Sequence, residues 1–310
     1  MLPTDCYTKA LRRLNSTTFS RLKARPLALL LALAAVSTGC LYRTRNIAPP
    51  LVAARTATLA ELLPQIERFG AIETLRAEAD LGLTYLDDDM DDATTVRDVK
   101  GFILAERPDH ARIQAQYPVT HQTAFDMVSN QDEFSVYLVW RKRFLQGETA
   151  LDVRSEKRAE NIRPQHVVEP LLIDPPQPGE TAALDNLARN GRLYHVVVFR
   201  RQDGEHEVIT RKFWFDRADL QLGILEIYDG DGNVVTEAGY SNWLSVGDAP
   251  YAGTVSISRP VDGYRLVVNM QDPGINATLP ADAFVLEPPP GVPVEQVGEA
   301  AKSDAQLSNR

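Results

Sequence analysis

A regular alternation of apolar and polar residues runs through residues 75–85, LRAEADLGLTY. Successive side chains of a β-strand point to opposite faces of a sheet, so this period of two predicts a long strand with one buried face. The predicted buried face carries small side chains at Ala77 and Ala79. These small residues predict a face that leaves space instead of filling it.

Ten further stretches have the composition of strands and are separated by turn residues. They are predicted at 96–106, 111–117, 124–129, 133–139, 193–201, 208–216, 222–228, 234–243, 253–258 and 264–270. The turns between them are short, and Gln202, Asp203 and Gly204 form one, which favours hairpins and an antiparallel sheet. The predicted fold is α+β and mainly β, with about eleven strands in a large curved sheet that forms an unclosed half β-barrel.

Two helices are predicted to cover the concave face of this sheet. The first begins at Thr58, because Glu61 three residues later completes a capping box and an apolar stripe of helical period follows. The second begins near Asn161 and carries its apolar residues between 167 and 172. No internal repeat and no change of composition divides the region between 57 and 290, which predicts a single domain.

The first 40 residues have the features of an export signal. Six basic residues precede the uncharged run 27–36, and small residues follow it up to Cys40. The uncharged run is too short to cross a bilayer, which needs roughly 20 residues. Its small residues and Cys40 resemble a bacterial lipobox, although Ser37 stands where leucine is usual. This resemblance implies that Cys40 is acylated and becomes the mature N-terminus; ordinary secretion with cleavage near Gly39 is the alternative.

The chain is therefore expected to have four parts. These are a lipoprotein signal peptide at 1–40, a tether at 41–56, a half-barrel domain at 57–290 and a flexible C-terminal tail at 291–310. The cysteines, Cys6 and Cys40, both lie in the first part, so we expect no disulfide and no cysteine-based metal site in the domain.

The net charge argues against nucleic acid as a partner. The whole chain carries −9, and setting aside the six basic residues and one acidic residue of 1–40 leaves 27 basic and 41 acidic residues, a net charge of −14. Nucleic acids and anionic lipid headgroups both attract positive charge. Attachment to a membrane would therefore come from acyl chains on Cys40.

Motifs of catalysis and of cofactor binding are scarce. The sequence has no Gly-x-Ser-x-Gly, no His-Glu-x-x-His and no phosphate-binding loop, so no catalytic residue, cofactor or metal is predicted. The acidic run 87–92 is expected to be a hairpin loop, with a calcium site as the alternative. Residues 229–233 are also expected to be a hairpin turn, because Tyr240 stands where a calcium loop needs a bidentate glutamate.

Most of the chain after residue 57 resembles bacterial lipoprotein-carrier proteins of the LolA/LolB type and their lipid-anchored relatives. The segments that carry the resemblance are the leading helix and residues 75–83, 100–118, 124–138, 258–270 and 275–289. The resemblance implies an unclosed β-barrel whose hydrophobic cavity, lidded by helices, takes the acyl chains of lipoproteins. Residues 148–190 match this family less clearly.

One apolar face is predicted to line a cleft for acyl chains. Its candidate residues are Leu75, Ala77, Ala79, Leu81, Leu83, Tyr85, Ile103, Ala115, Phe134, Val136 and Leu138. The alternative for any one of them is a place in a packed core. In a packed core, a polar substitution should strongly destabilise the protein. On a cleft wall, the same substitution should lower the stability less and abolish lipid binding.

The sequence therefore predicts a periplasm-facing lipoprotein that binds acyl chains of lipoproteins or lipids and takes part in their sorting or transfer. Leu41, where inner-membrane lipoproteins of enterobacteria have aspartate, favours the outer membrane by analogy. The rival is a structural or envelope-assembly lipoprotein whose half-barrel holds a protein partner. A hydrolase comes third, because no nucleophile and base stand out as a pair.

Overall fold

The computed structural model describes residues 53–86, 93–117, 119–149, 161–246, 249–280 and 282–297. All of them lie in one compact unit, Pro49–Arg310. The predicted signal peptide with Cys40, most of the tether, the acidic run 87–92 and the end of the tail lie outside the described residues. Those expectations remain predictions.

The described chain is mainly β, with two helices, α1 at Leu59–Phe69 and α2 at Pro164–Leu171, and a 3-10 turn at Val139–Arg141. Its fourteen strands are β1 Thr74–Leu86, β2 Ala93–Glu106, β3 His110–Gln116, β4 Thr123–Ser129, β5 Glu133–Leu138, β6 Arg143–Glu148, β7 Glu180–Arg189, β8 Arg192–Asp203, β9 His206–Asp216, β10 Leu222–Tyr228, β11 Val234–Val246, β12 Ala249–Arg259, β13 Tyr264–Ile275 and β14 Val294–Gln296.

All fourteen strands belong to one curved, unclosed sheet with the order β14-β6-β5-β4-β3-β2-β1-β13-β12-β11-β10-β9-β8-β7. Strand β1 sits in the middle, where it pairs with β2 on one side and with β13 on the other. Every neighbouring pair is antiparallel except β14 with β6. The antiparallel sheet expected from the hairpin turns is therefore confirmed.

The strand count is fourteen and not about eleven. Each predicted strand corresponds to an observed one, and β6, β7 and β14 are additional. Strand β6 is short and contains Gly147, and β7 is an edge strand whose residues are mostly partly buried or exposed, so neither shows a strong alternation. Strand β14 has three residues and lies in the segment for which the sequence predicts a flexible tail.

The helices begin as their residues dictate. Thr58 precedes α1, and both its backbone N–H and its hydroxyl donate to the Glu61 carboxylate, at 2.7 and 2.8 Å, so the predicted capping box is confirmed. The second helix starts at Pro164, later than Asn161, because proline suits the first position of a helix.

The prediction that helices cover the concave face is not confirmed. Buried residues of α1, such as Leu62 and Ile66, and of α2, such as Val167 and Leu171, belong to the same core as the inner residues of the strands. At a rise of about 1.5 Å per residue these helices of 11 and 8 residues are short beside a sheet of fourteen strands. Within the described chain, no helix is long and apolar enough to span a bilayer.

Candidate functional site

The eleven residues predicted to line a cleft share one core. Ten of them are buried, and the eleventh, Tyr85, is partly buried and packs against the same cluster. The structure therefore brings all eleven together on the inner side of the sheet. Whether each lines a space or fills one depends on its position along the strands.

Three of the eleven, Leu81, Leu83 and Tyr85, line a space near the C-terminal end of β1, and two more, Val136 and Leu138, line a smaller space beside it. We call the first space the Trp140 cavity; it has a volume of ≈ 110 Å³. Its lining residues are Leu81, Leu83, Tyr85, Val99, Tyr117, Ala124, Phe125 and Trp140.

A smaller space of ≈ 20 Å³ adjoins the Trp140 cavity and shares Leu83, Phe125 and Trp140 with it. Its other lining residues are Met127, Val136, Leu138, Ile162, Val167, Tyr264 and Leu266. The hydroxyl of Tyr264 lies 3.5 Å from Nδ1 of His166, and burial raises the pKa of this tyrosine. The tyrosine therefore stays neutral, and among the described residues no ionised side chain lines either space.

The other six predicted residues, Leu75, Ala77, Ala79, Ile103, Ala115 and Phe134, are buried and line neither of these spaces. The small residues of β1 do not leave a gap here. Ala79 pairs with Gly101, and a Cβ placed on Gly101 would lie 2.4 Å from Cδ1 of Leu81. The leucine side chain thus occupies the room that glycine leaves.

Two aromatic side chains form the rim of the Trp140 cavity. Trp140 is 45% exposed and Tyr117 is 39% exposed, while both also line the cavity. Trp140 belongs to the 3-10 turn, which ends where Lys142 adopts a left-handed conformation with φ of 49° and donates its N–H to the Val139 carbonyl at 3.1 Å. These two rings are the most exposed side chains of the described lining.

The end of α2 is fixed by two buried tyrosines that sequence reasoning did not single out. The hydroxyl of Tyr240 donates to the Pro170 carbonyl at 2.8 Å, and that of Tyr251 donates to the Leu171 carbonyl at 2.7 Å. The last carbonyls of a helix have no partner within it, so these bonds complete the C-terminus. Burial raises the pKa of both tyrosines.

The segment that follows α2 is held by two arginines from distant strands and turns. Arg107 donates to the Ile72 and Ile173 carbonyls, at 2.9 and 2.8 Å. Arg211 donates to the Asp174 carbonyl at 2.9 Å, and its guanidinium lies over the Phe199 ring. No local pattern could have identified these contacts, since the partners are between 35 and 66 residues apart.

A second space lies beside the C-terminal part of α1. We call it the Trp243 cavity; its volume is ≈ 100 Å³, and its lining residues are Gln65, Arg68, Phe69, Ile72, Phe215, Gln221, Leu222 and Trp243. A narrow apolar extension of ≈ 10 Å³ shares Phe69, Ile72 and Trp243 and reaches Pro170, Leu171, Ile173, Tyr240, Tyr251, Ala252 and Val255.

Groups that could support metal chemistry do not converge in the described part of the chain. No cluster of three or more His, Cys, Asp or Glu side chains there could hold a metal ion. The turn at 229–233 is closed by Asp229, whose carboxylate accepts from the N–H groups of Asp231 and Asn233 at 3.1 and 2.8 Å. The hairpin predicted there is confirmed.

No protein-family model and no curated protein matches this chain. Solved structures do. A LolA superfamily protein from Nitrosomonas europaea is 10% identical with a TM-score of 0.43, and the match covers 74% of this chain and 99% of that one. A DUF1329 family protein from Desulfovibrio piger is 12% identical with a TM-score of 0.46, over 72% of this chain and 94% of that one.

A third solved structure is a domain described as a candidate outer membrane lipoprotein-sorting protein from Vibrio parahaemolyticus. It is 14% identical with a TM-score of 0.41, and the match covers 72% of this chain and 94% of that domain. One of these three structures is thus of a LolA superfamily protein, the family that the sequence resembles.

Proposed function

We propose that this protein is a lipid-anchored lipoprotein of the bacterial envelope that binds acyl chains of lipoproteins or lipids in the Trp140 cavity. It binds these chains and transfers them, without breaking a covalent bond, as part of lipoprotein or lipid sorting towards the outer membrane. Attachment through Cys40, with the domain facing the periplasm, belongs to the same proposal.

The observation that carries this proposal is the lining of the Trp140 cavity and its extension. Every lining residue among those described is apolar or aromatic, and Tyr117 and Trp140 are the most exposed of them in the cavity. Each methylene moved from water into such a space contributes about 0.8 kcal/mol. Because the described part of the lining offers no charged group, the part of a ligand that it favours is a hydrocarbon chain.

The volume of the Trp140 cavity limits the length of chain that can bind without a rearrangement. An engineered protein cavity of about 150 Å³ accepts benzene. The Trp140 cavity, at ≈ 110 Å³, therefore accepts a few methylenes as it stands. A longer chain requires a side chain to move, and Trp140 is the lining residue with the largest exposed fraction, 45%. We expect the Trp140 ring to swing outward when a chain enters.

A second candidate function is a structural or envelope-assembly role in which the sheet holds a protein partner. Strand β7 favours it, because this strand of ten residues is an edge of the sheet and its pairing with β8 runs without a bulge. Proteins commonly protect such edges with bulges, prolines or lysines, and β7 contains none of these. An extended segment of another chain could add there.

Both parts of the proposal are tested with Cys40→Ala. Wild-type protein should incorporate a fatty-acid analogue during growth and Cys40→Ala should not, because the cysteine carries the anchor. Cys40→Ala protein examined by native mass spectrometry should retain a co-purified lipid or acyl chain.

The same experiments can contradict the anchor and the acyl-binding site separately. Label retained on Cys40→Ala would contradict the anchor. A Cys40→Ala protein that carries no lipid and takes up none from added fatty acid would contradict the acyl-binding site, and a stoichiometric protein partner in the same spectra would favour the assembly role.

A further inference from the structure

We propose that the Trp243 cavity is a second ligand site, which takes a single-chain amphiphile with a carboxylate head, such as a medium-chain carboxylic acid. Among the described residues, the Trp243 cavity and its extension share no lining residue with the Trp140 cavity and its extension. The two spaces contact different parts of α2, since Val167 lines one and Leu171 lines the other. This second site does not depend on the acyl site proposed above.

The lining of the Trp243 cavity differs in polarity from that of the Trp140 cavity. Its floor is apolar and buried, with Ile72, Phe215 and Leu222. Its polar lining residues are Gln65, Arg68 and Gln221; Arg68 and Gln221 are exposed and therefore mark the side that opens to solvent, which we call its mouth. A space lined mainly by apolar groups with a few polar groups on one side is typical of small-molecule sites. This combination suits a ligand with a hydrocarbon chain and a hydrogen-bonding head.

The positive charge of Arg68 favours a ligand with an anionic head group. A guanidinium has five N–H donors and matches a carboxylate geometrically, so Arg68 can hold a carboxylate in addition to the contact that it already makes in the protein. Hydrogen bonds between charged partners are stronger than those between neutral ones. We therefore expect a carboxylate to bind more tightly than a hydroxyl on the same chain.

The route of the chain follows from the residues that the cavity shares with its extension. Phe69 and Trp243 line both, and their ring centroids lie 6.2 Å apart. The extension is also lined by Ala252, Val255 and Tyr251. With ≈ 100 Å³ in the cavity and ≈ 10 Å³ beyond, the site accepts the first carbons of a chain, which makes octanoate a suitable probe.

Tryptophan fluorescence can separate the two cavities. The chain has three tryptophans; Trp214 lies in the small separate cluster with Tyr194, and each of the others lines one of the two named cavities. In Cys40→Ala protein that also carries Trp140→Phe, octanoate should change the emission of Trp243 to saturation. In the same protein, 1-octanol should bind about tenfold more weakly.

Variants at two arginines test the role of the cation. Arg68→Met should lower the affinity for octanoate to that for octanol and leave octanol binding unchanged. Arg76→Met removes an exposed arginine of β1 that does not line the cavity, and it should leave the ratio of the two affinities as in the parent protein.

Equal affinities for octanoate and octanol, an unchanged ratio in Arg68→Met, or no saturable response of Trp243 would each overturn the second site. The reciprocal protein, with Trp243→Phe, reports on the Trp140 cavity. Saturable octanoate binding seen only through Trp243 would support the second site while contradicting the acyl site, so the two proposals fail separately.

Discussion

At the scale of single residues, the buried hydroxyls of Tyr240 and Tyr251 cap the C-terminus of helix α2 in place of a local capping sequence. Helix α2 is followed by Leu172, which does not provide the usual glycine of a helix C-terminus. The carbonyls of Pro170 and Leu171 are satisfied by side chains that lie 70 and 80 residues further along the chain. The position of α2 is thereby tied to β11 and β12.

Tyr251→Phe should destabilise the protein by about 1–3 kcal/mol, because it leaves a buried carbonyl without its donor and changes little in shape. The measurement is chemical denaturation followed by circular dichroism. Tyr117→Phe serves as the control, since Tyr117 is at the exposed rim and should change stability by less than about 0.5 kcal/mol. Equal stabilities of the two variants would show that the Tyr251 hydroxyl has no such role.

At the scale of elements, the two ends of β1 have different surroundings although the strand has one continuous pattern. Leu83 lies on the wall of the Trp140 cavity and of its extension. Ala79 lies further from the rim, 1% exposed, and pairs with Gly101 and Met270. One half of the predicted cleft face therefore borders a space and the other half is packed core.

Leu83→Glu and Ala79→Trp should separate these two environments. The carboxylate of Leu83→Glu can reach water through the cavity, so we expect a loss of about 1–3 kcal/mol and a folded protein that no longer binds a fluorescent fatty acid. Ala79→Trp forces a large ring into filled space and should cost at least about 3 kcal/mol. Thermal unfolding and the binding assay together provide the measurement.

The assignment of the two halves of β1 would be wrong if Leu83→Glu failed to fold, or if Ala79→Trp were stable and bound the fatty acid normally. Phe102→Glu is a matched control for the added charge, because Phe102 is an exposed apolar side chain on the same sheet. It should keep both stability and fatty-acid binding.

At the scale of the whole molecule, residues 55–57, which precede α1, are hydrogen-bonded to β8 and to the β9–β10 turn. The backbone of Arg55 donates to the Arg217 carbonyl at 2.7 Å, and the Arg217 side chain donates back to the Arg55 carbonyl at 2.9 Å. The N–H of Ala57 donates to Nε2 of His195 at 3.0 Å. His195 is 4% exposed and must be neutral at this nitrogen to accept that bond.

This contact should depend on pH. Burial, helped by the charge of Arg217 and opposed by the Arg55 carbonyl, lowers the pKa of His195 below its ordinary value. When residues 55–57 are detached from His195, the exposed imidazole binds a proton more readily. The contact between Ala57 and His195 is therefore strongest above a pH of about 6.5 and weakens as the pH falls below it. Hydrogen exchange at the Ala57 amide, corrected for the intrinsic rate, should accelerate below that pH.

His195→Gln supplies the control for this prediction, since a glutamine oxygen can accept the Ala57 bond without titrating. Its corrected exchange at Ala57 should be the same from about pH 5 to pH 7. An identical pH dependence in both proteins would exclude His195 as the cause.

Much of the architecture was determined by the sequence alone. The eleven predicted strands, the antiparallel pairing and the start of α1 follow from local patterns, because a period of two, hairpin turns and a capping box act over a few residues. The strands that escaped prediction, β6, β7 and β14, are short or lie at the edge, where burial on one face does not impose an alternation.

The location of open space was decided only by the tertiary structure. The sequence shows that residues 75 to 85 share an apolar face, but a gap exists only where neighbouring side chains fail to meet. Leu81 fills the room over Gly101 and, together with Leu83 and Trp140, borders a cavity. The Trp243 cavity, likewise, joins α1 to residues some 150 positions away. Cavities depend on packing between distant segments, and no local pattern encodes that.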